Sequence, residues 1–319
     1  MTTNEKNEIL KGALEFLNVT EFKQLQLLLE RVDETSKQSK TNTELLQLFE
    51  TAKKVEGCSL TSLKYYLYIL NTFLNKTTKL LNEITTDDIR NYLEAYSTTS
   101  ISKVSMDNIR RVLSSFFAWL EEEDYIRKNP VKRIHKIKSL KIIKQAYSDE
   151  NVENLKDNCS CLRDKVIIEL LSSTGMRVGE LVKLNINNID FENKECIVLG
   201  KGGKQRKVYF DSKTKLHLQH YLDSRIDNDN ALFVSMLKPF KRLQISGIEI
   251  MLRKLGFRTC IENVHPHRFR RTLATKAIDK GMPVEQVQIL LGHTKIDTTM
   301  HYAIVDQTNV KNSYRRYIG

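Results

Sequence analysis

Proline is scarce, with four in 319 residues. Proline breaks helix interiors, so its rarity leaves long helices open to the chain. Apolar residues do recur at helical spacing through most of it, and a mainly helical protein is expected. No run of eighteen apolar residues occurs, which excludes a helical membrane span. The opening MTTNEKNE lacks the basic-then-apolar profile of a secretory signal. Five cysteines (Cys58, Cys159, Cys161, Cys196 and Cys260) are odd in number and scattered. Cys159 and Cys161 form CxC rather than the CxxC pairs of zinc sites, so reduced thiols and a cytoplasmic location are expected. There is no GxxxxGK[ST] phosphate loop, no triple-carboxylate cluster and no metal-ligand spacing, so no ATP, metal or other cofactor is expected. His217 and His220 stand three apart without further ligands nearby in sequence; they are read as surface or packing residues.

What the chain has in surplus is positive charge. It carries 51 Lys and Arg against 39 Asp and Glu, a net charge of +12. That balance favours a polyanionic partner, nucleic acid first. Residues 1–42 form a helical extension: Ile9, Leu10, Leu14 and Leu17 make one apolar stripe, and Phe22, Leu25, Leu28, Leu29 and Val32 a second. It is read as a helical hairpin packed on its neighbour or on another copy. Residues 43–130 hold about four helices, with caps at Ser59 or Thr61 and at Thr85 or Thr86. Tyr65, Tyr66 and Tyr68 are assigned to the core there, as is Trp119 with Phe116 and Phe117. Residues 131–148 contain no acidic side chain and form a basic linker. Its Lys132, Arg133, Lys136 and Lys138 suit a phosphate backbone, while its Ile and Leu residues predict partial docking. Residues 149–319 mix helices with strand-like segments at 189–191, 195–199, 207–210 and 231–235.

The chemistry concentrates in this last region. In LLSSTGMRVGEL a helix stops at Gly175, Arg177 opens the next element, and Glu180 follows three residues on. IVLGKGGKQRKVYF reads as a hairpin around a glycine-rich turn, with Lys201 at its mouth and Lys204 as the competing lysine. In VHPHRFRRTLATKAIDKGMPVEQVQILLGHTKIDTTMHY, His267 and Arg270 share a helical face. A second helix there is expected to turn Val284, Val287, Ile289 and Leu290 inward. It ends at Gly292, directly before His293, and Tyr302 stands nine residues after His293. Attack on a phosphodiester builds a second negative charge at phosphorus, which two planar arginine forks can stabilise. Arg177 and Arg270 are that pair. His267 and His293 are placed to move protons or bind an oxygen, and Tyr302 is the nucleophile. A free phenol, with a pKa of about 10, is ionised in only about one molecule in a thousand at neutral pH. Its neighbours must therefore lower that pKa or take the proton.

Arg177 in TGMRVGEL, Lys201 in GKGGK, His267 and Arg270 in PHRFRR, His293 in LGH, then Tyr302: in this order and spacing the chain resembles the tyrosine recombinase (phage integrase) family, most closely its Xer-type and transposon integrases. The resemblance runs from about residue 43 to the C-terminus. It implies a mainly α fold with a small β-sheet in the catalytic domain. It also implies a two-domain, C-shaped clamp of a helical core-binding domain (43–130) and a catalytic domain (149–319). Tyr302 would form a 3′-phosphotyrosyl link, Lys201 would protonate the leaving 5′ oxygen, and Glu180 would support Arg177. Lys204, Arg206, Arg268 and Arg271 are expected to contact DNA. The implied partner is double-stranded DNA bearing a specific recombination site, bound by a homo-tetramer or by a hetero-tetramer with a related recombinase. Two departures stand out: Arg271 replaces a common histidine, and so does Ile304. His265 and Arg268 offer a second His-x-x-Arg register. A type IB topoisomerase is the alternative chemistry, against which the segment after Tyr302 speaks. A catalytically inactive sequence-specific DNA-binding protein is the other alternative, against which the six intact site residues speak. In the tail, Val310, Tyr314, Tyr317 and Ile318 line one face of a short helix, with Arg315 and Arg316 opposite. The family commonly hands this segment to the neighbouring protomer.

Overall fold

The structure is a computed structural model that describes residues 9–13, 16–36, 40–139, 145–200, 203–300, 314, 315 and 318. Lys201, Tyr302, Ile304 and most of the tail lie outside the described residues, as do the side chains of Leu29 and Val32. Two compact units emerge, Met1–Ile142 and Ile143–Gly319.

Among its described residues the first unit is helical, with α1 (Val19–Ser36), α2 (Asn42–Val55), α3 (Leu60–Leu74), α4 (Thr86–Ser97) and α5 (Lys103–Glu122). Side-chain hydroxyls open four of them. Thr41, Ser59, Thr85 and Ser102 each accept from a backbone N–H three residues on, and Glu44 and Asp88 return the bond to the Thr41 and Thr85 amides. Each cap satisfies donors that the first helical turn leaves free and is worth about 1 kcal/mol. Phe49, Leu70, Ile89, Leu113, Phe116, Phe117 and Leu120 fill the core, with Trp119 buried beside them.

Three expectations for this unit change. Tyr65 and Tyr68 are 43% and 68% exposed. The buried stripe of α3 runs through Leu63, Leu70 and Phe73, and of the three tyrosines only Tyr66 lies along it, stacked on Phe49. The helical reading of SMDNIRRVLSSFFAWLEEEDYI runs on to Ile126, but α5 ends at Glu122, because Asp124 takes a left-handed φ of 59° and folds the chain back so that Ile126 joins the core. In the extension, Phe22 and Leu25 are half-buried, whereas Leu27 and Leu28 are 59% and 57% exposed. The basic segment docks through every third residue. Val131, Ile134 and Ile137 pack on the core, and the Ile137 amide donates to Asp107 Oδ1 at 3.0 Å. Lys132, Arg133, Lys136 and Lys138 between them stay exposed.

The second unit is organised around one helix that is buried on nearly all sides. After α6 (Asp149–Asp157), α7 (Leu162–Thr174) buries Val166, Ile167, Ile168, Leu170 and Leu171, the mark of a central helix. Around it lie α6, α9 (Ser212–Asp223), α11 (Pro266–Asp279) and the third strand of a small sheet. That sheet is antiparallel, ordered β1 (Ile189–Asp190), β2 (Glu195–Leu199), β3 (Gln205–Tyr209). Cys196 pairs with Val208 and Val198 with Arg206; Cys196, Val198 and Val208 are buried while Ile197, Lys207 and Tyr209 are exposed, so the two faces alternate. The segment 231–235 makes isolated bridges to Asn185 and Arg242 rather than a strand. Short α8 (Val178–Leu181), then α10 (Ile245–Thr259), α12 (Val284–Leu291) and α13 (Ile296–Met300), complete the unit. On α12, Val287 and Leu291 are buried and Ile289 is 74% exposed. The inward stripe follows a four-residue step, which leaves Ile289 on the opposite face. His217 Nδ1 bonds the Glu169 carboxylate at 2.8 Å, a packing role, and His220 is exposed.

Candidate active site

The site grows from three helix ends. Central helix α7 stops because Gly175 takes a left-handed φ of 60°, where a side chain is strained. A Cβ there would stand 2.7 Å from Leu273 and 3.0 Å from Leu291. Glycine therefore lets α11 and the end of α12 close over the C-terminus of α7. Two residues later Arg177 is the N-cap of α8, and its amide donates to Glu180 Oε2 at 2.8 Å. Helix α12 stops in the same way, at Gly292 with φ 64°, and the chain passes directly to His293.

Arg270, on α11, is 2% exposed. It donates through Nη1 to the Gly175 carbonyl at 2.8 Å and through Nη2 to the Leu291 carbonyl at 2.5 Å. It thereby satisfies the ends of α7 and α12, whose last carbonyls have no partner within their own helices. Arg177 donates from Nη1 to Glu180 Oε1 at 2.9 Å and reaches the Gly292 carbonyl from Nη2 at 3.5 Å. Both guanidinium groups thus converge on the 291–292 turn.

Glu180 is buried, at 4% exposure. Burial raises its pKa, but hydrogen bonds from Arg206 and Arg177 outweigh that and hold it below the usual carboxylate range. His293 shares a hydrogen bond through Nδ1 with Thr299 Oγ1 at 2.8 Å. Loss of hydration, then the charges of Arg270, Arg177 and Arg206, bring its pKa down to about 4, so it is neutral near pH 7. His267 is exposed; partial loss of hydration and the charges of Arg270, Arg177 and Arg271 lower its pKa as well. Two neutral imidazoles beside two permanent cations can accept protons or hydrogen bonds, and the cations suit a phosphate.

Other expected contact residues go elsewhere. The Arg206 guanidinium is half-buried against Glu180, donating from Nη1 to Oε1 and from Nη2 to Oε2 at 2.8 Å each, so its fork is engaged by a carboxylate. The strand-like segment of the sequence starts at Lys207. The strand starts at Gln205, and the two-residue period then puts Arg206 on the inner face with Val208. Arg268 is also occupied. It lies 4.2 Å over the Tyr147 ring and donates to the Glu262 and Ala146 carbonyls. Of the two His-x-x-Arg registers, only that of His267 and Arg270 sends its arginine to Gly175 and Leu291. Arg271 donates to the Gln145 carbonyl at 3.1 Å, and Lys204 is exposed at the hairpin. Thr299, fully buried against His293, carries no signal in the sequence beyond its helical register. Among the described residues no group of His, Cys, Asp and Glu could hold a metal ion, and no helix is long and apolar enough to cross a membrane.

The model of the phage integrase family matches residues 141–309, and that of the phage integrase N-terminal SAM-like domain matches residues 45–127. The chain belongs to the phage integrase family of tyrosine recombinases. Among curated relatives of this recombinase, tyrosine recombinase XerC of Staphylococcus aureus (strain MRSA252) is 31% identical over 276 residues, covering 83% of this chain and 92% of that protein. Two solved structures share its fold. The Tn1549 transposon integrase in complex with transposon right end DNA has a TM-score of 0.72 at 18% identity, covering 86% of this chain and 99% of that one. A lambda integrase dimer bound to a COC′ core site has a TM-score of 0.71 at 20% identity, covering 86% of this chain and 80% of that one. The enzyme is a tyrosine-type site-specific recombinase.

Proposed function

We propose that this recombinase cuts and rejoins double-stranded DNA at a specific site through a 3′-phosphotyrosyl intermediate. The convergence of Arg177 and Arg270 on the turn that carries His293 supports this most directly. The scissile phosphate would sit between the two guanidinium groups, which stabilise the charge that builds at phosphorus. The Tyr302 oxygen attacks phosphorus, and the bond to the 5′ oxygen breaks. His293 and His267, both neutral near pH 7, bind a phosphate oxygen or take the phenol proton. Lys201 gives its proton to the leaving 5′ oxygen. The bond energy is kept in the phosphotyrosine, so no ATP is needed. The freed 5′-OH of a partner duplex then attacks the link, releases the tyrosine and leaves a Holliday junction.

Lys132, Arg133, Lys136, Lys138 and Lys204, all exposed, would neutralise backbone phosphates of the duplex. Four protomers, of one kind or shared with a related recombinase, would assemble on two sites in the cytoplasm. The test is to incubate the protein with DNA flanking its gene and to map any covalent cut. The proposal expects protein on a 3′ phosphate at one defined position and a free 5′-OH. Relaxation of supercoils by a monomer without site preference would favour the topoisomerase reading. Binding without any cut would favour an inactive DNA-binding protein.

A further inference from the structure

We infer that Arg206 is a positioning residue for strand cleavage: its guanidinium ties β3 to Glu180, through Glu180 to Arg177, and also to the turn that presents His293. This rests on the recombinase reading above and extends it to a residue outside the six-residue set.

Three contacts carry the inference. Two parallel bonds of 2.8 Å join the Arg206 fork to both Glu180 oxygens. The third runs from Nε to the Leu290 carbonyl at 3.1 Å, two residues before Gly292. The fit between the two elements is close. A Cβ on Gly292 would stand 2.8 Å from Arg206 Cδ and 3.2 Å from its Nε. Glu180 is in turn saturated, since its carboxylate also accepts from the Arg177 amide and from Arg177 Nη1. One buried carboxylate therefore fixes the orientation of Arg177 only while Arg206 fixes the carboxylate. All three guanidinium nitrogens of Arg206 are engaged by Glu180 and the Leu290 carbonyl. A lysine would keep the charge but not the planar fork, which needs two donors in fixed geometry plus a third to Leu290.

The electrostatic consequences have a definite sign. Arg177 and Arg206 are the charged groups that face Glu180. Arg270, Arg177 and Arg206 face His293, and Thr299 bonds it. Without Arg206, burial weighs more heavily on Glu180, so the carboxylate takes up a proton at higher pH. Less repulsion at His293 also favours its protonated form. Both changes impair cleavage on the acid side of neutrality and are reversed as pH rises.

The test compares wild type, Arg206→Lys and Arg206→Met. Single-site DNA binding is measured by gel shift, and the rate of covalent adduct formation on a suicide substrate is measured across the pH range from acid to mildly alkaline. Rates are normalised to DNA-bound enzyme. Binding is expected to change little. Arg206→Met should lose about 10²-fold in adduct rate near neutrality, in the range seen when a transition-state donor is lost. Its rate should climb with pH where the wild-type rate is flat. Arg206→Lys should lose less and show no new acid limb. Three results would overturn the inference: DNA binding lost together with cleavage, an unchanged rate, or an equal, pH-independent loss in both variants. Tyr302→Phe is run alongside. If that variant still forms adducts, the nucleophile is misassigned, while the Arg206 comparison keeps its meaning.

Discussion

Arg270 should be both a phosphate ligand and a structural tie, and the two roles can be measured separately. It is 2% exposed and bonds the terminal carbonyls of two helices, Gly175 at 2.8 Å and Leu291 at 2.5 Å. A buried acceptor left without a donor costs about 1–3 kcal/mol. In Arg270→Lys the single ammonium group reaches at most one of the two carbonyls, so a loss of about 1–3 kcal/mol is expected. In Arg270→Ala both carbonyls are orphaned, which gives about 2–6 kcal/mol before lost packing is counted. In a domain of this size each kcal/mol lowers the melting temperature by about 2–4 °C. Arg270→Lys should therefore melt roughly 2–12 °C below wild type. Independently, loss of the fork should slow adduct formation by about 10²–10³-fold, assayed well below the melting transition. Scanning calorimetry reads the first effect and a suicide-substrate assay the second. A lysine variant that melts with wild type would refute the tie. One that cleaves at the wild-type rate would refute the phosphate role.

Further outcomes follow from the same geometry. Lys201→Ala should slow cleavage by about 10²–10⁴-fold, and a substrate with a 5′-bridging sulfur, which leaves without a proton, should largely restore it; rescue of Lys204→Ala instead would move the general acid to Lys204. The folded-state pKa of His293 is depressed from 6.5 to about 4, so between those values the unfolded chain binds more protons and stability falls as pH falls. In denaturant titrations across that interval His293→Gln should show a shallower acid loss than wild type, and an equal loss would exclude His293 as a source. Deleting residues 310–319 should spare single-site binding, weaken cooperative filling of paired sites and strongly reduce strand exchange. A truncated protein that recombines like the full chain would show that the tail is not handed to a neighbour.

The fold was legible where one period dominated. Helix starts at Ser59 and Thr85 and stops at Gly175 and Gly292 are marked by residues whose chemistry caps or ends a helix. Errors arose where position within a period decided the outcome. Ile289 is apolar and so reads as inward, yet the four-residue step from Val287 to Leu291 turns it out. Tyr65 and Tyr68 fail as core residues for the same reason on α3. In the site, arginines were recognisable but their destinations were not. Arg206 shares the inner face with Val208 because the ladder extends to it, opposite Val198, and Arg268 is drawn to Tyr147, more than a hundred residues away in sequence. Such pairings are set by tertiary approach, which local spacing does not encode.

The central claim is that Tyr302 is the nucleophile, and Tyr302→Phe tests it most directly. The variant removes one oxygen and should bind its DNA site as wild type does. On a suicide substrate, which traps the cleaved state, wild type should give a detergent-resistant protein–DNA adduct whose labelled peptide contains Tyr302, and Tyr302→Phe should give none. An adduct of undiminished yield on the phenylalanine variant would contradict the account and direct attention to Tyr314 or Tyr317.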